Sequence, residues 1–119
     1  MSTAGPATID LATFAELQDA AGADFIKELV QTFLEEAPAM LQELRNALAA
    51  GDADVFRRAA HSLKSNSLTF GALALGAMAR DLELGGLEAA QQSNAKAALD
   101  ALALEYARVA AALTELAHG

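Results

Sequence analysis

The sequence predicts an all-α protein, an antiparallel up-down four-helix bundle with a short additional N-terminal helix. Three observations lead there. The chain has two prolines and no cysteine in 119 residues, and its long Ala/Leu/Glu-rich stretches favour helix over sheet. Its apolar residues recur at steps of three and four rather than two. The breaks between these runs are short and carry helix-stop and helix-start residues. Hydrophobic residues make up 54% of the chain, much of it alanine, so the core is built from many small contacts. Such a length supports one domain with a single core. Residues 1–7 read as a disordered leader and residues 8–117 as the bundle.

Taken in order, Ile9, Leu11, Phe14 and Leu17 mark the short first helix, capped by Thr8 or Asp10 and closed near Gly22. A second helix opens at Asp24. Its apolar positions Ile26, Val30, Phe33, Ala37, Met40 or Leu41, Leu44 and Leu48 keep helical phase through Pro38. An internal proline costs about 3 kcal/mol, yet the unbroken phase predicts one long, bent helix. Pro38 as the first residue of a new helix stays open as the alternative. Gly51-Asp52 is a stop followed by a new cap. The third helix follows and ends near Gly71. A fourth carries Leu75, Met78, Ala79 and Leu82 and stops at Gly85-Gly86, with residues 87–93 as a polar connection and Ser93 or Asn94 as the next cap. In the last helix Leu99, Leu102, Tyr106, Val109, Leu113 and Leu116 alternate three-four, as a bundle seam requires. His118 is assigned to the tail.

Composition also excludes. Without cysteine there is no disulfide framework and no thiolate metal site. No basic-apolar signal segment opens the chain and no apolar run is long enough to span a bilayer, so a cytoplasmic location is expected. The formal net charge of -8 argues against nucleic acid and anionic membranes as partners. A basic cluster on the third helix is therefore a local exception. At about 100° per residue, Phe56, Ala59, Leu63 and Phe70 gather on the buried side, and His61 falls almost opposite. Beside it lie Asp54, Arg57, Arg58, Lys64, Ser65 and Leu68. An imidazole facing water and flanked by three cations suits a site where a dianionic group comes and goes.

The run Ala60-His61-x-Leu63-Lys64-x6-Gly71-Ala72, within a bundle of this size, resembles the histidine-containing phosphotransfer (HPt) domain of phosphorelays. The resemblance extends from about Phe14 to Leu116. It implies that His61 is phosphorylated on a ring nitrogen, taking a phosphoryl group from a receiver-domain aspartyl-phosphate and passing it to another receiver. It implies further that Lys64 offsets phosphate charge, that Glu83 reaches toward the histidine, and that Gly71 lets the next helix pack closely. The partners implied are receiver domains of response regulators and hybrid histidine kinases, with magnesium carried by the receiver and no cofactor on this chain. Ser65 departs from the family pattern, in which glycine is most frequent directly after the lysine, and this bears on docking and partner choice.

The residues support the same chemistry without the resemblance. An ordinary imidazole pKa of about 6.5 leaves much of such a ring neutral and nucleophilic at cellular pH. A carboxylate accepting from one ring N–H would fix the tautomer and aim the other nitrogen outward. Glu83 can supply it, because it flanks its helix's apolar stripe beside Gly76 and Ala79, whose small size permits close helix approach. Lys64, with Arg57 and Arg58 in reserve, can stabilise equatorial phosphoryl oxygens. Arg57 and Arg58 read equally as solvated helix arginines. Leu68 reads either as a simple exposed leucine or as part of a docking patch with Leu11 and Phe14. No Gly-rich phosphate loop is present, so ATP is not the expected donor. A metal or haem bundle would need several ligands converging on the core, and a hydrolase a base-oriented nucleophile; neither arrangement is in the sequence. A helical adaptor using the same face without accepting phosphate is the rival reading. The expectation is a free-standing monomer, a covalent carrier with no kinase or hydrolase activity of its own.

Overall fold

A computed structural model describes residues 8–118, with side chains for 8–117; the leader assigned to residues 1–7 lies outside the described residues. Five helices, and no strand, make up the described residues. Helix α1 spans Leu11–Ala21 and α2 Ala23–Ala50, followed by α3 at Ala53–Thr69, α4 at Leu73–Gln92 and α5 at Ala95–His118. None is long and apolar enough to cross a membrane.

Local chemistry sets the boundaries. The Asp10 carboxylate accepts from the Thr13 N–H at 3.2 Å and caps α1, which Gly22 closes by donating its N–H to the Gln18 carbonyl. Gly51, at φ 73°, turns left-handed to end α2. Asp52 then caps α3 through the Val55 N–H at 3.1 Å. Of the two caps open for the last helix, Asn94 is used: its Oδ1 accepts from the Ala97 N–H at 3.2 Å.

Pro38 lies inside α2, which continues through it as a single helix. Lacking an N–H, Pro38 leaves the Leu34 carbonyl without its intrahelical donor. The Tyr106 hydroxyl, reaching over from α5, donates to that oxygen at 3.3 Å. Thus the proline's cost is partly offset by a bond that ties α5 to α2.

The fourth helix differs from the sequence reading. The break at Gly85-Gly86 is present, since Gly86 leaves helical geometry at φ 76° and ψ 179°, but the residues read as a polar connection form a second helical segment that runs from this kink to Gln92. Leu87 and Ala90, assigned to a polar connection, are buried. Their burial against the core explains why helix resumes beyond the kink, since most helical stability in a protein comes from packing an apolar face. The last helix likewise extends to His118 rather than ending in a tail.

Contacts run α2 to α3, α3 to α4, α4 to α5 and α5 back to α2, closing a ring around the core, while α1 lies across α2 and α3. Ile26, Leu44, Phe56, Leu63, Leu75, Leu102, Val109 and Leu113 are fully buried inside it. The Phe33 ring lies 5.3 Å from Phe70 at a tilt of 38° and meets Tyr106 edge-on at 5.9 Å. The most extensive of these contacts is α3 on α4, the pair that carries the site.

Candidate functional site

Helix α3 buries Phe56, Ala59, Ala60, Leu63 and Ser67, which leaves His61 on the opposite face with a side chain 57% exposed. Ser67 and Asn66 return their side chains to the backbone of their own helix, at the Leu63 and Ser62 carbonyls respectively. They are therefore occupied locally.

Glu83 reaches His61 from α4. Its Oε2 lies 2.8 Å from His61 Nδ1, and its Oε1 lies 2.8 Å from Lys64 Nζ. The three side chains form one chain of contacts, imidazole to carboxylate to ammonium. Glu83 is only 15% exposed, and the Lys64 ammonium at 2.8 Å from Oε1 compensates its charge. Lys64, and after it the bond from His61, holds the Glu83 carboxyl below the ordinary glutamate range. A carboxylate kept ionised accepts from Nδ1–H and fixes the imidazole in the tautomer with its lone pair on Nε2. The resulting ring has one nitrogen anchored and the other available.

The surroundings depart from the expected ring of free cations. Arg57 and Arg58 both pair with Asp54, each at 2.9 Å, so their charge is partly offset one turn before the histidine. Lys64 is not a solvent-pointing side chain either; it is 24% exposed and engaged with Glu83. Sequence phase places charges on a face but does not say which acceptor each one takes. Ser65 is exposed beside His61, as its position predicts.

Of the apolar docking residues, Leu11 at 63% and Leu68 at 42% exposure are on the surface. Phe14 is not: it is 4% exposed and belongs to the core, because α1 turns this side chain toward the bundle it lies across. It is withdrawn from the docking surface. Leu73, which the sequence did not single out, is half exposed at the start of α4; its only signal was an apolar residue following Gly71-Ala72.

Gly71 adopts φ +83°, and its carbonyl accepts from the Asp10 N–H at 2.8 Å. A Cβ there would stand 2.8 Å from the Asp10 carbonyl oxygen. Gly71 therefore admits the start of α1, not the packing of α4 that the resemblance implied. Close approach of α4 to α3 occurs instead at Gly76.

The Hpt domain family matches residues 28–118. The crystal structure of histidine-containing phosphotransfer protein B (HptB) from Pseudomonas aeruginosa PAO1 superimposes with a TM-score of 0.85 at 29% identity, over 97% of each chain. No curated protein matches the sequence. The chain belongs to the Hpt domain family, and its role is histidine phosphotransfer in a phosphorelay.

Proposed function

We propose that the protein is a phosphorelay intermediate that accepts a phosphoryl group on His61 Nε2 from the aspartyl-phosphate of one receiver domain and passes it to another. The observation that carries this reading is the 2.8 Å contact between Glu83 and Nδ1, which leaves Nε2 as the nucleophile. The Nε2 lone pair attacks phosphorus, the bond from phosphorus to the aspartyl oxygen breaks, and the receiver's carboxylate leaves with that electron pair. No proton has to move: Nδ1–H stays on the ring, and the Glu83 carboxylate offsets the positive charge that the phosphorylated imidazole gains. Running the same steps backward delivers the group to the next receiver.

Lys64 supplies positive charge beside the transferring group, and Arg57, Arg58, Ser65, Leu11 and Leu68 form the face against which a receiver docks. Magnesium arrives with the receiver. The scaffold is an antiparallel up-down four-helix bundle carrying α1 as an extra helix, working as a cytoplasmic monomer. Mixing the protein with a phosphorylated receiver domain should give an acid-labile, base-stable phosphoprotein. His61→Gln should abolish that labelling with helicity unchanged. An unlabelled wild type, or persistent labelling of the variant, would refute the proposal.

A further inference from the structure

Gly76 lies in α4 where that helix meets α3. A Cβ added there would stand 2.6 Å from Leu68 Cδ2 and 3.0 Å from Leu68 Cγ, but 3.8 Å from the Lys64 carbonyl oxygen. The space left by the missing side chain is thus filled by the end of Leu68 and not by the α3 backbone. Gly76 lies within the helical run of α4 and outside the positive-φ glycines, so nothing in its backbone requires glycine, and alanine is the better helix former. Leu68 sits seven residues after His61, two turns along the same face, and is 42% exposed.

We propose that Gly76 is a positioning residue for the phosphotransfer reaction, a socket that holds Leu68 down against α4 so that a receiver can close on His61. The proposal rests on the phosphotransfer reading above. Transfer requires the reacting atoms to approach within about 3–3.5 Å, and an apolar side chain lifted two turns from the imidazole on the same face holds the opposing surface away. With a methyl group at position 76, Leu68 is the part that yields: its far end is flexible and half in water, while the α3 backbone lies at ordinary contact distance. Helix α4 then keeps its place, and Glu83, two turns further along it, keeps its hold on His61.

The test is phosphoryl transfer from a phosphorylated receiver domain to the wild type, Gly76→Ala, Leu68→Ala and the double variant Gly76→Ala/Leu68→Ala, with ring 15N shifts of His61 read in parallel. Gly76→Ala is expected to raise the KM for the receiver roughly tenfold, with little change in kcat, unchanged His61 shifts and a melting temperature that holds or rises. Because Leu68 itself lies on the docking face, the double variant is compared with Leu68→Ala alone: once that side chain is absent, adding Gly76→Ala should leave KM unchanged, because the clash is gone. An unchanged KM in Gly76→Ala, a further rise in KM from Leu68→Ala to the double variant, altered His61 shifts or a destabilised fold would each overturn the socket. Failure of the wild type itself to accept the group would overturn the phosphotransfer reading instead, which keeps the two failures distinct.

Discussion

Glu83 touches a histidine with one oxygen and a lysine with the other, at 2.8 Å each, and this single side chain organises the site. Glu83→Gln keeps an acceptor for Nδ1–H but loses the charge that favours it; transfer should slow by about 10- to 100-fold, the usual range for such supporting contacts, as measured by single-turnover labelling. The same residue makes stability depend on pH. Its folded pKa lies below the ordinary 4.5, chiefly through Lys64. Its contribution is therefore complete above that value and is lost as pH falls through the depressed folded value. Acid titration followed by circular dichroism should show a shallower loss below about pH 4.5 in Glu83→Gln than in the wild type; parallel curves would mean the contacts do not favour the ionised carboxylate. The pairing of His61 with a carboxylate 22 residues later was legible through the family resemblance, with helix phase and the small neighbours Gly76 and Ala79 in support. The engagement of Lys64 with Glu83, and of both arginines with Asp54, was not legible, since several acceptors lay within reach of each long side chain.

At the scale of elements, the continuity of α2 through Pro38 followed from apolar phase alone, but its partner across the bundle did not. Tyr106 looked like a seam residue, and only the structure shows its hydroxyl on the carbonyl that Pro38 orphans. Tyr106→Phe should cost about 1 kcal/mol of stability, and this cost should shrink in a Pro38→Ala background, where the restored N–H takes over the Leu34 oxygen. A denaturant double-mutant cycle measures the difference, and additive costs would separate the two residues. Gly71→Ala should destabilise the fold by about 1–3 kcal/mol and loosen α1, because the added methyl meets the Asp10 carbonyl at 2.8 Å with φ at +83°. Faster amide exchange confined to α1 is the signature to seek. The glycine itself was visible in the sequence motif; the helix it serves was not, because a resemblance names a position without giving its contacts. Similarly, Gly85-Gly86 was visible as a break, while the burial of Leu87 beyond it depends on how α4 meets the core.

For the whole molecule, a core of fully buried Ile26, Leu44, Phe56, Leu63, Leu75, Leu102 and Leu113 holds α3 and α4 in register, and the chemistry lies outside it on one face. Leu44→Ala or Leu102→Ala should cost about 2–5 kcal/mol, a large part of the roughly 5–15 kcal/mol that stabilises such a domain. Molecules that remain folded should transfer phosphate at the wild-type rate. Loss of rate in proportion to stability, at temperatures where the variants are fully folded, would show the bundle taking part in the step itself. The most direct measurement is the position of the phosphoryl group on the ring, read by 31P and 15N NMR after transfer from a phosphorylated receiver. With Nδ1 held by Glu83, the group is expected on Nε2 of His61. Phosphorus on Nδ1, or on any other residue, would contradict the assignment of Glu83 as the group that aims this histidine.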